Sequence, residues 1–539
     1  MKTIKLSIFG IALGFTANVM AQETYESAKI ATEDLNGTAR YVSMGGALDA
    51  LGADLSTIGT NPAGMGLFRH SMVSASFGMV SQGDAAKSDF VDATNMSFDQ
   101  VGFVYSKQTK ENSFFNVGFN YHKSRNFDYI LSAAGSLNGT ASQNKLSYMK
   151  MAEGYLYPSA SGSGQPYTPD WDHSYSSCSQ LDDMYASNLF YASGEEDAYH
   201  YKANDYSLTR GHKGYIGEYD FNFSGNFNNR FFVGLTMGIH DVHYKHSGVY
   251  TENLVANLED ISSLTVYDDR RITGSGFDIK AGVIFRPVET SPFRIGLSVA
   301  TPTWYSLTTT NSLVMKDNFG NAAYGGETYD YKLYTPWKFG ISLGHTIGTM
   351  VALGAGFDYA DYSTVDNRVI NGEYYDWYTD SYYNSSSEDV EANSHTDRYL
   401  KGVCTFKVGA EVKPTPEMAF RLGYNVSTAM YDEKGFKDGT LDSPASYYSS
   451  ATDYTNWKAT NHITAGFGYN IDKLSLDLAY QYTCSKGDFK PFMEYDATTG
   501  EFGNFDRVDT EAISDNVFVK PQQVDFKRHQ LILTLGYHF

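Results

Sequence analysis

The chain lacks most of what marks a soluble enzyme or a nucleic-acid-binding protein. Only three cysteines occur in 539 residues, Cys178, Cys404 and Cys484. Their spacing makes neither a disulfide framework nor a metal-ligand set. Cys178 and Cys484 fall in or beside expected loops on one side, which leaves a single bridge between them open. Basic residues are outnumbered, 41 Lys and Arg against 62 Asp and Glu, and the net charge is −21. That balance excludes a phosphate-binding surface, and with it nucleic acid as a partner. No G-x-S-x-G elbow, P-loop or H-E-x-x-H pair occurs, so nothing points to an enzyme or to a resident cofactor. Beyond the first twenty-one residues no apolar run is long enough for a transmembrane helix.

What is present begins at the N-terminus. Lys2 and Lys5 precede the apolar run "LSIFGIALGF", and "NVMA" ends at Ala21. This is the layout of a bacterial secretory signal over residues 1–21, with the mature chain starting at Gln22. Aromatics and glycine are abundant, with 43 Tyr, 34 Phe and 50 Gly. The mean hydropathy of −0.37 looks soluble, but alternating apolar and polar residues hide a greasy face behind a polar average.

Alternation is the dominant pattern. In "SFFNVGFNYHK", Phe115, Val117, Phe119 and Tyr121 share one face of a strand, with Asn116, Gly118, Asn120 and His122 on the other. "FFVGLTMGIH", "GFDIKAGVIFR", "CTFKVGAEV" and "KLSLDLAYQY" repeat it. About fourteen such segments follow one another, starting near residues 71, 98, 113, 215, 231, 276, 293, 333, 351, 398, 418, 461, 474 and 526. Short turns ("NFNNR", "KPTPE", "NIDK") alternate with long polar connections over residues 130–214, 365–396, 427–460 and 485–524. An even strand number, tight turns at one end and long loops at the other are the pattern of an outer-membrane β-barrel. The chain closes on "LILTLGYHF", an alternating strand with a terminal Phe539. The expected architecture is therefore an all-β, antiparallel transmembrane barrel over residues 71–539.

A fourteen-stranded barrel leaves a lumen that something must fill. Residues 22–70 precede the first strand, are rich in small residues, and fit a plug with a short helix around residues 46–51. Within them "GGALDALGADLSTIGTNPAG" (Gly45–Gly64), followed by the strands and the terminal Phe, resembles the long-chain fatty-acid transporter (FadL/TodX) family. That resemblance implies a hatch inside the barrel and passive uptake of hydrophobic compounds across the bacterial outer membrane, with an apolar pocket in the lumen and lateral exit into the bilayer. It matches Asn61, Pro62, Ala63 and Gly64 to the family's hatch residues. Some barrels with a similar N-terminal motif instead serve protein secretion as partner-binding shuttles, which makes a secreted-protein partner the alternative. The wall itself would contact outer-membrane lipid and lipopolysaccharide.

Among candidate site residues, Lys280, Lys338 and Lys407 sit on lumen-facing positions well inside their strands. Each could hold a fatty carboxylate or pair with lumen acids such as Asp278, Asp358 or Glu411. "HDVHYKH" spaces His240, His243 and His246 three apart, which puts neighbours on opposite faces of a strand, so one metal cannot gather all three. Tyr105, Tyr121 and Tyr359 suit an interfacial aromatic girdle. Two amphipathic pieces, residues 144–157 and 180–192, lie in the longest connection.

Overall fold

The computed structural model describes residues 24–137, 156–158, 167–169, 203–255, 262–320, 322–378, 381–437, 453–492 and 519–539. The expected signal peptide, Cys178 and nearly all of the two amphipathic pieces lie outside them.

Fourteen strands form the wall. In chain order they are β1 (Met72–Gln82), β2 (Thr94–Lys110), β3 (Ser113–Asn126), β4 (Ala203–Phe227), β5 (Phe231–Leu254), β6 (Ser263–Phe285) and β7 (Arg294–Ala300). The series continues with β8 (Lys338–Ile347), β9 (Val351–Asp361), β10 (Gly402–Val412), β11 (Met418–Ser427), β12 (Thr460–Ile471), β13 (Leu474–Lys490) and β14 (Gln522–His538). Each pairs antiparallel with the next, and the last closes on the first with Met72 opposite His538 and Gln82 opposite Arg528. The ring therefore has no free edge, which is what a bilayer demands of a β-structure.

Burial is inverted relative to a soluble protein. Along β5, Phe231, Val233, Leu235, Met237 and Ile239 are exposed, whereas Thr236 and His240 are buried. The same holds for Phe406 and Val408 against Lys407 on β10. An apolar band outside and a polar lumen inside make this a barrel of the bacterial outer membrane.

The alternation locates all fourteen wall strands, but it underestimates the length of three. β4, β5 and β6 have 25, 24 and 23 residues, about twice what a tilted strand needs to cross a bilayer. Residues assigned to loop, such as Ala203–Gly214, continue the ladder outside it. They lack the greasy outward face because no lipid meets them there. The connection after β7 is likewise structured. The chain bends at Thr301–Thr303, forms the hairpin Trp304–Asp317 and Ala322–Tyr334, and bends back before β8. Pro302 and Pro336 stand at the two bends, where their missing N–H removes a ladder bond. Thr303 and Thr335 bridge across, N to Oγ1 at 2.8 Å and N to O at 3.2 Å.

Candidate functional site

The lumen is occupied by the N-terminal segment, which threads from the outer end of the barrel to the turn end. Helix α1 (Thr24–Ala31) is tied to the outer loops. Tyr25 stacks on Tyr431 at 5.2 Å and donates to Asn456 Oδ1 at 2.8 Å. Thr24 Oγ1 bonds His395 Nδ1 at 2.8 Å, on helix α3 (Val390–Tyr399). Helix α2 (Ala39–Ser43) is capped by Thr38, whose Oγ1 accepts from Tyr41 N and donates to Asp54 Oδ1 at 2.7 Å. The helix expected over residues 46–51 is displaced to α2. Gly45 and Gly46 adopt φ of +63° and +78°, which ends a helix rather than continuing one. Two 3₁₀ turns follow, Leu55–Ile58 capped by Asp54 and Pro62–Leu67 capped by Asn61. Asn61 is fully buried, and its Oδ1 accepts from Ala63 N at 3.2 Å. Pro62 takes the first helical position, where its absent N–H costs nothing.

The wall makes room for this segment with glycines on its inner face. On β8 to β11, Gly344, Gly354, Gly409 and Gly423 stand opposite one another in register. A Cβ on Gly354 would lie 1.9 Å from Ala47 O, one on Gly409 2.3 Å from Met44 O, and one on Gly423 2.2 Å from Gly45 N. On β5 and β6, Gly234 and Gly282 are also paired. Their Cβ atoms would meet Pro62 C at 2.3 Å and Asn61 Oδ1 at 2.1 Å. Residues 44–63 therefore pack backbone to backbone against the barrel. Alternating glycine in these strands was legible in the sequence, but its meaning was not, because only the closed register lines the glycines up.

Above this belt lies a cavity of about 470 Å³, within the range of sites that take small molecules. Its lining mixes aromatic rings, among them Tyr25, Phe127, Tyr129, Tyr431, Trp457 and Phe526, with charged side chains such as Lys29, Arg125 and Arg210. Lys280, Lys338 and Lys407 all reach it, and each is paired. Lys407 Nζ lies 3.1 Å from Asp49 Oδ2 and 2.5 Å from Asp358 Oδ2. Lys280 is buried among Glu218, Asp220 and Asp278. Lys338 bonds Glu33 of the N-terminal segment, and here the carboxylate is 43% exposed. Glu411 pairs instead with Arg40 and Arg421. Of the three histidines, His240 and His246 point inward to Asp278 and Asp268, and His243 points outward to Asp241.

The cavity also reaches an interruption in the wall. β2 and β3 pair from Lys110 opposite Ser113 as far as Gln100 opposite His122. Beyond that β2 stays with β1 to Thr94, while β3 stays with β4 to Asn126, with a register shift between Lys123 and Arg125. The N-terminal segment bonds across this parting. Asp34 N donates to Ser124 O at 2.7 Å, and Asn36 Nδ2 donates to Lys123 O at 3.1 Å and Asp99 Oδ1 at 3.2 Å. Arg125 Nη1 meets Asp34 Oδ1 at 2.6 Å, with Arg528 3.3 Å from the other oxygen. Burial pushes the Asp34 carboxyl up, but the two guanidiniums outweigh it and hold it below its usual range. Met96, 81% exposed, flanks the parting on the outer face.

The chain is similar over nearly its whole length to three solved proteins. The toluene transporter TbuX of Ralstonia pickettii is 12% identical, with 94% of this chain and 99% of that one covered and a TM-score of 0.45. A FadL homologue of Pseudomonas aeruginosa is 12% identical, covering 97% and 100%, at 0.46. The toluene transporter TodX of P. putida is 11% identical, covering 94% and 99%, at 0.46. By sequence, no family model and no curated protein matches.

Proposed function

We propose that this chain is an outer-membrane channel for passive uptake of hydrophobic compounds, long-chain fatty acids among them. Residues 22–70 act as its hatch. The observation that carries the reading is the cavity: it holds a set of aromatic rings, is bordered by the N-terminal segment, and reaches residues 122–126 of β3 beside the parting from β2. A hydrophobic ligand enters between the outer loops and settles among the rings. It leaves through the parting between β2 and β3 into the bilayer once Asp34 and Asn36 release Ser124, Lys123 and Asp99. Lateral exit spares an apolar molecule the aqueous route through the turn end.

Asn61 to Gly64 serve as the fixed footing of the hatch. The tight fit of Pro62 against Gly234 and of Asn61 against Gly282 supports this role, since a lever needs one end held. Lys338 is the cation suited to a ligand carboxylate, because Glu33 on the mobile side of the pair is the exposed member. A fatty carboxylate replacing Glu33 would loosen the segment on binding, which couples occupancy to release.

The test is native mass spectrometry of the barrel purified in mild detergent, beside an Asn61→Ala/Pro62→Ala variant. A co-purifying apolar molecule, with occupancy changed in the variant, supports the reading. An empty barrel that retains a protein partner through its loops would replace it with the secretion-shuttle alternative.

A further inference from the structure

A cluster of charged groups on the inner wall borders the cavity, and its chemistry does not suit an apolar ligand. Glu218 and Asp220 on β4, His240 on β5, Asp278 and Lys280 on β6, and His122 on β3 converge beside Gly59 of the N-terminal segment. Three carboxyl groups face one ammonium; ionised together, with neutral imidazoles, they leave an excess of two negative charges. All three acids are buried, Asp220 completely. Buried charge without compensation is strongly unfavourable.

The geometry divides the cluster into two sides. On one, Lys280 Nζ contacts Glu218 Oε1 and lies 3.2 Å from both Asp220 Oδ1 and Asp278 Oδ1. On the other, the second oxygens of Glu218 and Asp220 face the imidazoles. Glu218 Oε2 is 3.6 Å from His122 Nε2 and 3.8 Å from His240 Nδ1, and Asp220 Oδ2 is 3.7 Å from His122 Nδ1. These separations are too long for hydrogen bonds. Asp220 Oδ2 and His240 Nδ1 have no hydrogen-bond partner among the described residues, although both residues are at most 1% exposed. His240 Nε2 is meanwhile fixed by Asp278 Oδ2 at 3.0 Å. Ligand atoms about 2.1 Å from a tetrahedral ion stand about 3.4 Å apart, and Glu218 Oε2 and His122 Nε2 at 3.6 Å are close to that.

We propose that His122, Glu218 and Asp220 form a binding site for a first-row divalent metal ion such as zinc, with water completing its coordination. Mixed imidazole and carboxylate donors favour such ions over calcium or magnesium, and a charge of +2 cancels the excess. His122, with 14% of its side chain exposed, borders the cavity, and Gly59 has no side chain to block entry. A Cβ there would stand 3.4 Å from both Asp220 Oδ2 and His122 Cε1. The bound ion would sit two residues from Asn61. This inference is independent of the uptake reading.

The experiment is calorimetric titration of the full, untagged chain in detergent with zinc chloride after chelator treatment. Asp220→Asn, His122→Gln and the outward-facing His243→Ala are run beside it, with folding checked by heat-modifiable electrophoretic mobility. The expected result is one zinc bound per chain in the wild type and in His243→Ala, and loss of that binding in Asp220→Asn and His122→Gln. If Asp220→Asn does not fold, His122→Gln, altered at the cavity border, decides alone. A wild type that takes up no zinc, or a folded His122→Gln chain that binds it as well as the wild type does, overturns the proposal.

Discussion

Replacing Gly354 by alanine puts one methyl group where the backbone of the N-terminal segment lies. The new Cβ would stand 1.9 Å from Ala47 O, 3.0 Å from its carbonyl carbon and 3.3 Å from its Cβ. Ordinary contact begins at 3.4 Å, so residue 47 must retreat by about 1.5 Å, and what blocks it is backbone rather than a flexible side chain. Sliding sideways brings no relief, because Gly344, Gly409 and Gly423 are backed in the same way by residues 44–51. Overpacking of this kind costs about 1–3 kcal/mol. Charged to the docked state alone, that raises the undocked fraction by about 5- to 150-fold. Gly356 is the internal control, since it faces inward on the same strand and its Cβ would meet Lys407 Cδ at 3.5 Å. The assay is single-channel conductance in planar bilayers together with influx of a bulky hydrophilic antibiotic into cells. Gly354→Ala should show frequent openings and antibiotic sensitivity, and Gly356→Ala should match the wild type. If Gly354→Ala is as quiet as Gly356→Ala while both barrels are fully folded, residues 44–51 do not seal the lumen.

Three further outcomes follow from the same geometry. Asp34→Asn removes the charge that Arg125 and Arg528 share, a loss of about 2 kcal/mol; cross-linking between cysteines placed at residues 36 and 124 should fall relative to the unsubstituted pair. Lys338→Met should weaken binding of a fatty acid yet leave binding of a hydrocarbon without a carboxylate unchanged, measured by native mass spectrometry. Burial lowers His395 to about 4, so the unfolded state takes up a proton that the native state refuses; stability is full above pH 6.5 and falls between 6.5 and 4, by about 3 kcal/mol in all. Proteolytic cleavage near α1, whose Thr24 bonds His395, should therefore rise across that window, and His395→Gln should flatten it. Glu26, held at about 2 by Lys29, Arg270 and His246 against its burial, stays ionised throughout and is not the group that responds.

The wall was legible because the bilayer imposes a period of two on every spanning strand. "FFVGLTMGIH" shows its lipid face in Phe231, Val233, Leu235, Met237 and Ile239, and the structure exposes those residues. Where the bilayer stops, the signal stops, which is why Ala203–Gly214 passed for loop and the hairpin Trp304–Asp317 with Ala322–Tyr334 was not foreseen. The Asn-Pro turn could be recognised as special, but its tight seat against Gly234 and Gly282 depends on strands far apart in sequence. The parting between β2 and β3 leaves no local trace at all, because it is a property of pairing: Ser97 and Lys123 lie in unremarkable alternating segments. Lys280, Lys338 and Lys407 could be placed in the lumen by parity. Their partners could be guessed only on the wall, as for Asp278 and Asp358; Asp49 and Glu33 come from the N-terminal segment, whose path no periodicity encodes.

The central claim, that the barrel passes hydrophobic compounds under control of its N-terminal segment, is tested most directly by uptake. Labelled oleate would be supplied to cells lacking their own outer-membrane fatty-acid channel. These cells would express the wild type, or a chain whose segment is locked to the wall by a disulfide between cysteines at positions 36 and 124. Saturable uptake by the wild type, lost in the locked chain and restored by reductant, is the predicted result. A wild-type barrel that is folded in the outer membrane and yet takes up no more oleate than empty cells would contradict it.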